Sequence, residues 1–297
     1  PRLLAGSQIK FTCFHCHNFF RGRDKVMVRK PAVAGLFYPA QKTMLEDEVK
    51  TLLAISKPGQ EYKNVFGLVS PHAGYIYSGR TAAYGFNLLK DSVIQTVIII
   101  SPSHREYFPG VSIFDGDAYE TPLGIVEINK EITDKLALDS KVIVKSSEGH
   151  REEHAIEVQI PFLQMVIGDF KIVPVVMGDQ GKLYIDELVE KLSQCIDDKT
   201  IIVASSDLSH YHSGNEANKL DSIVETKITD FDYDGLQNDL ERRNCEACGG
   251  GPIVAMMKTA SLLNKKKSKV LYRCNSGDTT GDYSEVVGYL SAVIYGD

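Results

Sequence analysis

The sequence has no basic excess, no long apolar run and too few cysteines for a disulfide framework. Its 33 Lys+Arg stand against 39 Asp+Glu, a formal net charge of −6. A general nucleic-acid binder carries a basic face, so that class is excluded. The one basic run, Lys265-Lys266-Lys267, follows an apolar helical pattern and reads as a solvated loop. No segment approaches the roughly 20 apolar residues of a membrane span. Cys13-Phe14-His15-Cys16-His17 sits where a signal peptide needs a continuous apolar core. The expectation is a cytoplasmic protein with no membrane and no nucleic-acid partner. Six cysteines in 297 residues suit metal or redox chemistry better than stapling. Phosphate-cradling loops, internal repeats and linkers are also missing.

What is present is ordinary globular composition, 43 % hydrophobic and 24 % charged. Residues 1–26 lack periodicity and read as an appendage; residues 27–297 read as one domain. Apolar runs at 65–69, 96–100, 171–177 and 200–205 predict buried strands, and Pro174 predicts that its strand is an edge or carries a bulge. Shorter β segments are expected within 111–128, and closing strands at 269–274 and 286–294. Helical patterns fall at 44–55, 78–89, 129–137, 153–167, 183–195, 216–230, 232–243 and 252–263. This alternation predicts an α/β fold, with a mostly parallel or mixed central sheet flanked by helices.

Three strands end alike, in a small residue followed by polar groups and a His: Ser70-Pro71-His72, Ser101-Pro102-Ser103-His104 and Ser205-Ser206-Asp207-Leu208-Ser209-His210. Ligands of open α/β sheets bind outside the carboxyl ends of the strands. Singly, each His is an ordinary loop or capping residue; together they point to one site. Neutral imidazole is a common transition-metal ligand. Cys248, before Gly249-Gly250-Gly251 and a helix, is the candidate third donor, with a thiol expected to be acidified by the helix N-terminus. Asp207 is placed to orient His210 as an acid/base. Cys245 completes a C-x-x-C with Cys248, which leaves a redox disulfide open. His150-Arg151-Glu152-Glu153-His154 fits the H-x-x-E-H string of inverted zinc proteases, although His154 with Glu157 reads better as support for the main site. The Ser205–His210 segment lacks the G-x-S-x-G elbow of a serine hydrolase. Cys13, His15, Cys16 and His17 have tight C-x-x-C spacing but could supply four zinc ligands only in a strained loop, and read better as part of an unstructured tail.

The same segments resemble the Memo family: Ala34-Gly35-Leu36-Phe37-Tyr38-Pro39, Pro71-His72-Ala73-Gly74-Tyr75, Ser101-Pro102-Ser103-His104, Tyr119-Glu120-Thr121-Pro122-Leu123-Gly124, Glu153-His154-Ala155-Ile156-Glu157, Ser205-Ser206-Asp207 with His210, and Cys248-Gly249 before Pro252-Ile253. The likeness runs in order from about residue 29 to the end. It implies a fold like the class III extradiol dioxygenases. It also implies a single metal held by His72, His104 and Cys248, with Asp207 and His210 beside it. A thiolate then stands where those enzymes have a carboxylate, which admits iron or copper, and also zinc. The implied activity is metal-dependent redox or dioxygenase-type chemistry on a small molecule. The alternative is a binding or adaptor module that uses the same pocket for a peptide or metabolite. Radical-SAM and AMMECR1-like proteins are the partners the resemblance implies, and the size is compatible with a homodimer.

Overall fold

The computed structural model describes residues 26–297. The Cys13–His17 cluster and most of the expected appendage therefore lie outside the described residues. The elements run β1 (Val28–Arg29), α1 (Lys42–Ile55), β2 (Val65–Ser70), α2 (Tyr75–Phe86), β3 (Thr96–Pro102), β4 (Val111–Ile113), β5 (Ala118–Thr121), β6 (Gly124–Glu127), α3 (Lys130–Ala137) and β7 (Ile143–Lys145). They continue with α4 (Ile160–Val166), β8 (Lys171–Met177), α5 (Lys182–Cys195), β9 (Thr200–Ser205), β10 (His210–His212), α6 (Gly214–Thr229), α7 (Tyr233–Glu241), α8 (Gly250–Leu262), β11 (Lys267–Asn275), α9 (Gly277–Thr280) and β12 (Val286–Tyr295).

Among the described residues the main sheet has nine strands in the order β10-β12-β2-β9-β3-β8-β4-β7, with β11 also on β12. The pairs β2·β9, β9·β3, β3·β8 and β4·β7 are parallel. The pairs that β12 makes, and β4·β8, are antiparallel. The sheet is thus mixed, with a parallel centre. A small second sheet, β1-β5-β6, lies beside it.

The apolar runs are continuous because both sheet faces are covered. Side chains alternate between faces along a strand. Ile98 and Ile100 of β3 join one apolar cluster, with residues of α3, α5, α6, α7 and α8. Val97 and Ile99 join another, with residues of α1, α2 and α4. In β9, Ile202 and Ala204 face the first cluster while Ile201 and Val203 face the second.

Two expectations need correction. The strand holding Pro174 is not at an edge: β8 lies between β3 and β4. Pro174 is tolerated because β4 pairs only with Val175–Met177. The Pro174 carbonyl accepts from Phe114 N at 3.2 Å, just past the end of that ladder. The missing N–H therefore falls in a gap. Residues 153–167 do not form one helix either. They make a loop, a single 3₁₀ turn at Glu157–Gln159, and then α4, which has Pro161 in its first turn. Burial of Arg29 against this loop supplies the competing interaction. Its guanidinium pairs with Glu157 and donates to the carbonyls of His150 (3.1 Å) and Glu153 (2.5 Å).

Candidate metal centre

The strands β2, β9 and β3 are neighbours in the sheet and parallel. Their carboxyl ends therefore open side by side. Past Ser70 the chain turns through Pro71 and His72 into α2, and Ser78 Oγ donates to the Ala73 carbonyl at 2.9 Å. Past Pro102 it reaches His104. Past Ser205 it turns through Asp207, and Ser206 N donates to the Ser70 carbonyl at 2.9 Å, tying the β9 exit to the β2 exit. The Cys248 loop enters from the start of α8. Gly249 permits that approach, because a methyl there would collide with the Ser205 carbonyl.

These loops bring His72, His104 and Cys248 together. One ring nitrogen of each His and the Cys248 Sγ lie within 4.8 Å of one another. Cys248 Sγ is 3.2 Å from His72 Nε2. The two imidazoles meet edge to face, with centroids 5.0 Å apart. His72 is buried; the His104 side chain remains 28 % exposed and forms the open side of the cluster.

Glu153, the acid of the H-x-x-E-H string, supports His104. One carboxylate oxygen takes the His104 backbone N–H at 2.6 Å and the other lies 2.9 Å from Nδ1. Burial pushes this carboxyl up, but the His104 hydrogen bonds and the backbone N–H of Ala155 outweigh it and hold it at about 2. An ionised carboxylate only accepts. His104 Nδ1 is therefore the donor, which leaves Nε2 as the ring nitrogen turned toward a ligand. The signal available in the sequence was the Glu153-His154 pair itself, four residues before Glu157, the acid given weight.

His154 reaches the centre as a neighbour of His104, with rings stacked at 4.8 Å, and its buried Nδ1 has no hydrogen-bond partner among the described residues. Burial and then His72 depress its pKa to about 4. Glu157 lies further back and accepts from Arg29, Ala32 N (2.8 Å), Val33 N (3.1 Å) and Tyr38 Oη (2.5 Å). Through Arg29, which also donates to the Glu153 carbonyl, it is tied to the loop that carries Glu153.

Asp207 Oδ1 accepts the His72 backbone N–H at 2.7 Å. Among the described residues no hydrogen bond joins Asp207 to His210, so the expected orienting contact is replaced by one to His72. Burial raises the Asp207 carboxyl. His210 sits on β10, beside Tyr211 in the left-handed region at φ 62°. It lines a cavity of about 560 Å³ that also reaches Cys248, Gln180 and the start of α8.

The expected acidification of Cys248 is also corrected. Burial, and then Asp207, push its thiol up. Burial and the neighbouring His104 push His72 well down. Without a metal the pair is a neutral thiol facing a neutral imidazole. Cys245 is buried in the core, and among the described residues its thiol, like that of Cys248, forms no disulfide. His150 is turned away from the site. Its ring bonds to Tyr119 Oη at 2.9 Å and faces the Ser112 carbonyl at 3.2 Å, and the segment around it is not helical. The H-x-x-E-H reading therefore fails on geometry.

The donor set fits a single metal ion. Two imidazoles and a thiol that can yield its proton come within 4.8 Å of one another, a composition that suits iron, copper or zinc. The family model described as Memo-like protein matches residues 29–293. A MEMO1 family protein of Thermoplasma volcanium is 43 % identical over 270 residues, covering 90 % of this chain and 98 % of the relative. One of Thermoplasma acidophilum is 42 % identical over 272 residues, at 90 % and 98 % coverage. One of Methanocaldococcus jannaschii is 37 % identical over 285 residues, at 90 % and 99 % coverage.

Proposed function

The chain belongs to the Memo family, and from that premise we propose that it holds one metal ion through His72, His104 and Cys248 and uses it for redox or dioxygenase-type chemistry on a small molecule. The observation that carries this reading is the convergence of the three donors within 4.8 Å. Iron or copper bound there would supply electron-transfer and oxygen chemistry, whereas zinc would supply Lewis acidity.

The chain's own residues have separable tasks. Cys248 gives up the proton it shares with His72 Nε2 when a ligand takes the site, so binding releases a proton. Glu153 keeps the His104 lone pair directed inward. His104, the exposed member, marks the side from which a substrate arrives. The cavity at His210 has the volume of a small-molecule pocket. There His210 serves as the acid/base toward substrate. Asp207, bonded to the His72 backbone, holds the metal loop.

The test is metal content by mass spectrometry on untagged protein, followed by oxygen uptake with a panel of catechols. Stoichiometric iron or copper with oxygen consumption supports the reading. Zinc without oxygen consumption replaces redox chemistry with hydrolysis. No metal after anaerobic Fe(II) or Cu(I) loading overturns it in favour of a binding module.

A further inference from the structure

We infer that Ser205 and Gln159 are positioning residues that fix the tautomer of His72 and so leave its Nε2 lone pair free at the centre. The inference rests on the proposed metal site for its purpose, but its geometry stands on hydrogen bonds alone.

Ser205 is fully buried at the end of β9. Its Oγ has three neighbours: the Ala155 carbonyl at 2.7 Å, Gln159 Nε2 at 2.8 Å and His72 Nδ1 at 2.9 Å. A hydroxyl has one hydrogen and two lone pairs. A carbonyl only accepts, so the Ser205 hydrogen is committed to Ala155. Gln159 Nε2 also faces the carbonyls of Pro71 (3.1 Å) and Ala155 (3.3 Å). An amide oxygen in that position would oppose two carbonyl oxygens, so the atom is the nitrogen and it donates to Ser205. One lone pair of Ser205 remains, and His72 Nδ1 must bring the hydrogen. The neutral ring is therefore protonated at Nδ1 and bare at Nε2, which faces Cys248 Sγ. Had Nε2 carried the proton, the ring would offer the centre a donor in place of a ligand.

This arrangement differs in kind from that of His104, whose tautomer is set by a charged carboxylate. At His72 the same result comes from a neutral, fully saturated hydroxyl, which adds no negative charge behind the buried ring. Ser205 belonged to the serine-hydrolase pattern considered in the sequence, and here its hydroxyl proton is already occupied.

Nitrogen-15 NMR of histidine-labelled, metal-free protein tests this directly, with the His72 signals identified by their loss in His72→Gln. The expected spectrum shows a protonated Nδ1 and a bare Nε2 for His72. In Ser205→Ala that preference is lost, and cobalt(II) affinity, read from the thiolate charge-transfer band, falls about 10- to 100-fold. Ser205→Thr restores both. A protonated Nε2 in the wild type overturns the inference, as does an unchanged tautomer and affinity in a folded Ser205→Ala. If the wild type shows the expected tautomer but binds no metal, the metal reading fails and the tautomer assignment stands.

Discussion

Glu153 grips His104 at two points, its backbone N–H at 2.6 Å and its Nδ1 at 2.9 Å. One carboxylate thereby sets both the position of the loop after β3 and the direction of the imidazole. Glu153→Gln keeps the shape but turns an amide N–H₂ toward one of the two donors. Metal affinity, measured by competition with a chelator, should fall about 10- to 100-fold, and the metal-free protein should lose stability as well, because a buried donor then faces a donor.

Removing Arg29 should damage the fold itself. Its guanidinium is buried against Glu157 and two loop carbonyls. Arg29→Met leaves a buried carboxylate whose cation is gone, and breaking one partner of such a pair costs about 3–5 kcal/mol. Urea unfolding of the metal-free protein measures this. A loss well under 1 kcal/mol would show that Tyr38 and the backbone N–H groups satisfy Glu157 alone.

Acid should weaken the metal-free protein from near neutrality downward. Burial holds His150 at about 3, against an ordinary 6.5. Below pH 6.5 the unfolded chain takes a proton that the native ring refuses until about pH 3. Stability is therefore full above 6.5 and falls through that window, by up to about 1.4 kcal/mol per pH unit for this group. His154, held at about 4, acts in the same direction. Urea midpoints between pH 7 and pH 4 should show a shallower slope in His150→Gln than in the wild type; equal slopes would remove His150 from the account.

Gly249→Ala should disturb the centre without touching a ligand. The added methyl meets the Ser205 carbonyl and lies 2.8 Å from Ser206 Cβ. Relief requires the Cys248 loop to withdraw from the β9 exit. The expected result is a destabilisation of about 1–3 kcal/mol and a weakened thiolate charge-transfer band with cobalt(II).

The strands and the convergence of His72, His104 and Cys248 were legible in the sequence. Buried parallel strands are continuous apolar runs, and a sheet of neighbouring strands gathers whatever follows their carboxyl ends. Supporting contacts were less legible. Glu153, Ser205 and Gln159 act through hydrogen bonds between residues far apart in the chain, and nothing in local periodicity marks them. The interior place of Pro174 was hidden for a related reason: it depends on how far the neighbouring β4 extends. The direction of the Cys248 shift is not legible in the sequence, because burial outweighs the nearby helix start.

The central claim is that Cys248 completes a metal centre with His72 and His104. Its most direct test is the metal content per chain of wild type and Cys248→Ala, each loaded anaerobically with Fe(II) or Cu(I) and then desalted. About one ion per chain in the wild type, lost in the variant while its circular dichroism stays native, is the expected result. Equal metal in both proteins, or none in the wild type, would contradict it.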